Sequence, residues 1–124
     1  MRKGILIIDD DKEFCEELSE ILKHEGYGIE YCSSPEEGIR LLKTGSYGLL
    51  LLDFKMPRMS GVEFLKKYRE ELKGVKIFMV TGSLEINKLL LGGGVFPLVA
   101  EVFNKPFDPE NFIQKIKEAL PLNL

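Results

Sequence analysis

Five side chains, far apart in the chain, are suited to one kind of chemistry. Asp9 and Asp10 are adjacent acids, Asp53 is an isolated acid, Thr81 offers a hydroxyl and Lys105 an amine. Each closes a hydrophobic run: ILII precedes Asp9, LLLL precedes Asp53, IFMV precedes Thr81, and AEVFN precedes Lys105. If these runs are neighbouring parallel strands, their carboxyl ends share one rim and the five groups converge. Carboxylates gathered there repel one another, at on the order of 4 kcal/mol per pair for a separation of ~4 Å and an effective dielectric of ~20. A divalent cation relieves that repulsion, and an acid-rich, all-oxygen, partly open site suits Mg2+. Thr81 and Lys105 then supply a hydrogen bond and a fixed positive charge for a phosphoryl group in transfer, with Asp53 placed as its acceptor. Plainer roles exist for each residue. Asp53 is also explained as a strand-end acid satisfied by backbone N–H groups, the aspartate pair as a helix cap, Thr81 as a strand residue, and Lys105-Pro106 as an ordinary turn.

The elements that must position these groups are legible from periodicity and caps. Lys3–Ile8 reads as a first strand, Ile29–Cys32 as a second, the leucine run ending at Asp53 as a fully buried third, Val75–Val80 as a fourth and Ala100–Phe103 as a fifth. Between them lie helix signatures. Asp10 or Asp11 caps a helix over about residues 12–25, with Phe14, Leu18, Ile21 and Leu22 as its apolar face and Gly26 as its stop. Ser34-Pro35-Glu36-Glu37 opens a second helix, which carries Ile39 and Leu42 inward and ends at Gly45. Met56-Pro57 stiffens the turn after Asp53, and Ser60 with Glu63 forms a capping box for a helix over about residues 61–72, facing the sheet with Val62, Leu65, Tyr68 and Leu72. Ser83 opens a helix through about Leu91 that Gly92-Gly93-Gly94 breaks, and Asp108-Pro109 starts a last helix burying Phe112, Ile113, Ile116 and Leu120. Strand and helix alternate five times, which predicts an α/β fold: a parallel sheet with helices on both faces and right-handed crossovers.

Composition narrows the function classes. At 124 residues the chain makes one domain with a core of its own. A net charge of −3 carries no nucleic-acid footprint. Its apolar runs fall short of the roughly 20 residues a membrane span needs, and the basic start MRKG leads into a short strand rather than a signal peptide. Cys15 and Cys32 lie inside elements without a metal-ligand spacing and read as reduced core thiols of a cytoplasmic protein. His24 is the only histidine and sits in the last turn of its helix, where a cation suits the dipole, so it reads as a surface residue. Lys55 and Arg58 read as solvated loop charges, and Leu89-Leu90-Leu91 as core with one exposed leucine.

Taken together and in order, Asp9-Asp10, Asp53 with MPRMSG after it, VTG around Thr81 and NKPF around Lys105 resemble the receiver domain of bacterial two-component response regulators. The resemblance covers the whole chain, residues 1–124, as one receiver domain without an output domain. It implies the flavodoxin-like (βα)5 fold with strand order 2-1-3-4-5, for which the chemotaxis receiver is a standard example. It implies that Asp53 is the phosphoacceptor, that Asp9, Asp10, Asp53 and the backbone carbonyl of Lys55 hold Mg2+, and that Thr81 and Lys105 contact the phosphoryl group. It further implies a cis Lys105-Pro106 peptide, and a sensor histidine kinase or phosphotransfer protein as phosphodonor. On this reading the domain catalyses only its own phosphorylation and dephosphorylation. Phosphorylation then switches the surface of the fourth helix, fifth strand and fifth helix, a possible homodimer face.

Two departures from the family pattern stand out. The position three before the lysine, usually aromatic, is Val102; Phe103 is adjacent, but alternation along a strand sends it to the other face. The stretch between Thr81 and Lys105 is about two residues longer than usual, and Gly82 stands where alanine is common. Glycines followed by Val95, Phe96, Pro97, Leu98 and Val99 predict a mobile apolar loop over residues 92–99, open to a partner or a second copy. Three other functions compete. A pseudo-receiver that only binds partners would not need the retained acids, threonine and lysine. A flavodoxin-like electron carrier would need a glycine- and hydroxyl-rich phosphate loop where IIDDDKE stands. An aspartyl-phosphate phosphatase would put its nucleophile on the first strand with a second aspartate two residues on, a spacing that Asp9 and Asp11 have.

Overall fold

The computed structural model describes residues 4–82 and 98–122. Five strands, β1 (Gly4–Ile8), β2 (Gly28–Cys32), β3 (Tyr47–Asp53), β4 (Lys76–Thr81) and β5 (Glu101–Asn104), form one sheet. All neighbouring pairs are parallel and the order is β2-β1-β3-β4-β5. The helices are α1 (Lys12–His24), α2 (Pro35–Thr44), α3 (Gly61–Lys67) and α4 (Pro109–Ala119). The helix expected over 83–91, the glycine break and most of the apolar loop expected over 92–99 lie outside the described residues.

β3 is central because its sequence permits it. Every residue from Tyr47 to Asp53 is buried, as a strand covered on both faces requires. Alternation splits its leucines between two cores. Leu50 and Leu52 join Leu6, Ile8, Ile39, Phe64, Ile77 and Met79 beneath α2 and α3. Leu49 and Leu51 join Ile5, Ile7, Leu18, Leu22, Phe78, Phe103, Phe112 and Ile116 beneath α1 and α4. The sheet is thus doubly wound, with two helices on each face among the described residues.

The caps fall where the sequence puts them. Asp11 caps α1 by accepting from the Phe14 N–H, Ser34 caps α2, Ser60 and Glu63 form a reciprocal box on α3, and Asp108 caps α4 with proline in its first turn. Strand bounds shift by about one residue, and two larger differences from expectation concern the end of α3 and the buried face of α1. α3 stops at Lys67 because Tyr68 leaves helical geometry at φ −112°, ψ 31°; Leu72 still reaches the core, but from a turn that reverses at Gly74, where φ is 82°. The buried stripe of α1 is Cys15, Leu18, Ser19 and Leu22, while Ile21 is 38% exposed. A face of Phe14, Leu18, Ile21 and Leu22 is therefore rotated from the observed one, which takes in Cys15 and the small Ser19 and leaves Ile21 toward solvent. Cys15 and Cys32 are free, buried thiols on opposite faces of the sheet, and His24 is exposed at the end of α1.

Gly61 ties α3 to the strand that ends in Asp53. Its N–H donates to the Phe54 carbonyl at 2.8 Å, and a Cβ here would lie 2.8 Å from the Asp53 carbonyl oxygen and 3.2 Å from the Phe54 Cα. Those are backbone atoms and cannot swing aside. Gly61→Ala is expected to destabilise the domain by about 1–3 kcal/mol, the usual cost of forcing a methyl into a packed site. Urea unfolding with an unchanged denaturant slope would show it.

Candidate functional site

Asp9 is the fixed point of the rim. Its backbone N–H donates to the Cys32 carbonyl at 3.1 Å, continuing the β1–β2 ladder by one residue. Its carboxylate is only 2% exposed and both oxygens are engaged. The Asp11 N–H donates to Oδ1 at 2.9 Å, and the Lys105 Nζ donates to Oδ2 at 2.9 Å. Asp11 therefore caps α1 with its side chain and orients Asp9 with its backbone. The third acid of IIDDDKE thus has a structural reason, and Asp9 and Asp10 are left for the rim.

Asp53 arrives on the neighbouring strand. One carboxylate oxygen from each of Asp9, Asp10 and Asp53 lies within 4.8 Å of the others, two of the residues buried and Asp10 exposed. Burial pushes the Asp53 carboxyl up to about 7, with the Asp9 and then the Asp10 charges adding to it. Lys105 and a hydrogen bond from the Lys55 backbone N–H pull the other way without cancelling the rise. A carboxylate this reluctant to ionise marks a place where positive charge is wanted. The fit to a divalent cation is good: three carboxylates converge within the reach of one ion, one side of the cluster is open, and every donor is oxygen. Lys55 is exposed and follows two residues after Asp53, where its backbone borders the cluster.

Lys105 is set by β5 and by the turn after it. Its N–H donates to the Thr81 carbonyl at 2.7 Å, extending the pairing of Thr81 with Asn104, and the Lys105-Pro106 peptide is cis as expected. Its side chain is 25% exposed. Thr81 closes β4 and is buried; β4 pairs with β3 so that Val80 lies opposite Asp53, one residue before Thr81. Asp9, Asp10 and Asp53 are brought together, Lys105 contacts Asp9, and Thr81 stands one residue beyond the partner of Asp53 on the adjacent strand. Val102 packs on the α2–α3 side of the sheet and Phe103 on the α1–α4 side, the alternation expected for that pair.

One participant escapes a reading by residue type. Phe14, which the sequence assigns to the core, presents its ring to the Lys105 Nζ at 4.2 Å from the centroid. It is the third residue of α1 and takes the Asp11 cap on its own N–H, so the cap that orients Asp9 also sets this ring. Its position three after the cap, on the first turn facing the rim, was the available signal. Cys15, one residue on, is no nucleophile: its thiol donates to the Asp9 carbonyl at 3.6 Å, and burial followed by the Asp9 and Asp11 charges pushes it up to about 12.

Comparison with known proteins agrees with this geometry. The family model described as the response regulator receiver domain matches residues 5–117. The chain is 34% identical over 117 residues to the uncharacterized transcriptional regulatory protein YcbL of Bacillus subtilis (strain 168), covering 93% of this chain and 50% of that protein. It is 35% identical over 117 residues to the transcriptional regulatory protein CpxR homolog of Haemophilus influenzae, covering 94% of this chain and 49% of that protein. The chain thus spans about half the length of the curated relatives it matches. Among solved structures it resembles a CheY-like receiver domain protein of Methanospirillum hungatei JF-1, with a TM-score of 0.84 and 35% identity over 97% of this chain and 94% of that one. It also resembles the response regulator TrrA of Thermotoga maritima in complex with Mg2+ and BeF, with a TM-score of 0.83 and 31% identity over 97% of this chain and all of that one. A doubly wound sheet in the order β2-β1-β3-β4-β5, an acid cluster on its carboxyl rim and a family match across most of its length place this chain among the response regulator receiver domains of two-component signalling.

Proposed function

We propose that this domain is a phosphorylatable signalling receiver in which Asp53 accepts a phosphoryl group from a phosphohistidine on a sensor kinase or phosphotransfer protein. The observation that carries the proposal is the convergence of Asp9, Asp10, Asp53 and Lys105 from three separate strand ends onto one rim. In the transfer an Asp53 carboxylate oxygen forms a bond to phosphorus as the histidine nitrogen–phosphorus bond breaks. In the later hydrolysis, water forms a bond to phosphorus as the Asp53 oxygen–phosphorus bond breaks, releasing inorganic phosphate and the Asp53 carboxylate. Asp9, Asp10, Asp53 and the Lys55 carbonyl would hold Mg2+, which would supply positive charge to the phosphoryl oxygens and offset the crowding of acids. Thr81 donates a hydrogen bond to the new phosphoryl group, and the Lys105 ammonium moves its charge from Asp9 toward it.

The chain, residues 1–124, acts on this reading as one receiver unit working in the cytoplasm. Among the described residues no helix is long and apolar enough to cross a membrane. With a net charge of −3, the domain meets its kinase rather than nucleic acid; DNA binding by a longer protein that contained it would belong to another domain. Phosphorylation biases the surface made by β5, α4 and the helix expected over 83–91, and pairing with a second copy would use that face. The test is incubation with acetyl phosphate and Mg2+ followed by intact-mass measurement. One phosphoryl group is expected on the wild-type chain and none on Asp53→Ala. No adduct on the wild-type chain under any donor, phosphorylated kinase included, would leave a binding-only receiver as the reading. An adduct that survives in Asp53→Ala and is lost in Asp9→Asn would favour phosphatase-type chemistry on the first strand.

A further inference from the structure

We infer that Phe14 is a positioning residue for Lys105: the face of its ring holds the ammonium at the carboxylate cluster. The inference deepens the reading above and rests on it for the role of Lys105 in transfer. The Nζ has two recorded neighbours of opposite character. Asp9 Oδ2 lies at 2.9 Å and the centroid of the Phe14 ring at 4.2 Å. A carboxylate alone would place the amine by charge, and charge has little directionality. The ring gives the ammonium a second attractive surface, which costs no proton and carries no competing negative charge. It does so in a half-buried place, where a cation over a π-face is worth more than at an open surface.

The ring itself is held. Asp11 fixes the first turn of α1 through the Phe14 N–H at 3.1 Å. The Phe107 ring meets Phe14 edge-on at 6.1 Å, and Phe107 stacks on Phe112 at 4.4 Å in the core beneath α4. Lys105, Pro106 and Phe107 are consecutive, so the same turn that delivers the amine delivers the ring that braces its platform. A platform made of neutral carbon suits a charge that must leave Asp9 for a phosphoryl group. It guides the amine in both positions and binds it more weakly than a second carboxylate would.

The test uses Phe14→Leu, which keeps apolar bulk without a π-face, and Phe14→Tyr, which keeps the π-face. Phosphorylation of the full chain by acetyl phosphate with Mg2+ is followed as a rate. Phe14→Leu is expected to slow it about five- to tenfold, the loss of one partly desolvated cation–π contact, with Phe14→Tyr near the wild-type rate. In a Lys105→Ala background Phe14→Leu should slow it no further. Independently, the Lys105 ε-methylene protons should be shifted upfield by the ring current in the wild type and in Phe14→Tyr, and return to ordinary positions in Phe14→Leu. Equal slowing by Leu and Tyr, or full slowing by Phe14→Leu without Lys105, would overturn the inference, as would ε-methylene signals at ordinary positions in the wild type. A wild-type chain that takes no phosphoryl group would instead end the reading of function, and the ε-methylene shifts would still decide the placement of Lys105.

Discussion

Replacing Asp53 by asparagine is expected to make the metal-free domain more stable, by about 2–4 kcal/mol at pH 8, and to leave it little changed at pH 4. The sign follows from where the Asp53 proton prefers to be. In the unfolded chain the carboxyl titrates near 3.8; in the fold, burial and then the Asp9 charge push it up to about 7. Between those values the folded state holds a proton that the unfolded state has released, so stability falls as pH rises and levels off above the higher value. Below 3.8 both states are protonated and the side chain contributes no penalty. The full gap corresponds to about 4 kcal/mol, and relaxation around an asparagine takes up part of it. Thermal melts in EDTA across pH 4–8 would show the wild-type curve descending and the Asp53→Asn curve lying flatter, with a separation of roughly 10 °C at the alkaline end. Adding Mg2+ at pH 8 should raise the wild-type curve more than the variant's, because the ion's stabilisation is largest where the third carboxylate is ionised. Parallel curves throughout would mean that Asp53 holds its proton no more tightly in the fold than in the unfolded chain.

That result would also explain why the site is the most legible part of the sequence. A buried acid at the end of LLLLD has a plain role as a strand-end acceptor, and it is the company of Asp9, Asp10, Thr81 and Lys105 at the other strand ends that points to function. The strand order needed more than periodicity: alternation of strand and helix gives a doubly wound sheet, but the sequence β2-β1-β3-β4-β5 came from resemblance to receivers. Caps were legible because Asp11, Ser34, Ser60 and Asp108 act within one helical turn. What failed was set by packing at a distance. Tyr68 and Leu72 continue the helical spacing of α3, yet the helix ends before them and Leu72 reaches the core from a turn. Ile21 is exposed and Ser19 buried, so residue hydrophobicity alone does not mark the buried face of α1. The approach of Phe14 to Lys105 joins a helix near the start of the chain to a turn near its end; the cap spacing puts Phe14 on the first turn of α1 but does not name its partner.

Lys105→Ala is expected to separate stability from chemistry at the same site. In the metal-free domain the Lys105 ammonium is the cation in direct contact with Asp9, whose carboxylate is 2% exposed. Removing one partner of such a pair leaves a buried charge uncompensated, at about 3 kcal/mol. The Asp11 N–H still donates to Asp9 Oδ1, which holds the loss to that order rather than more. Mg2+ should restore much of the stability, because a dication held by Asp9, Asp10 and Asp53 compensates the same carboxylate. It should not restore the chemistry. A charged donor aimed at a group in transfer is worth about 10²–10³ in rate, and a metal that compensates the Asp9 carboxylate does not replace the directed N–H donors of the Lys105 ammonium. Melts with and without Mg2+, set beside the phosphorylation rate in saturating Mg2+, read both effects on one protein. A variant whose rate recovered together with its stability would reduce Lys105 to a counter-ion for Asp9. A variant that regained its fold and stayed slow would place the amine on the phosphoryl group itself.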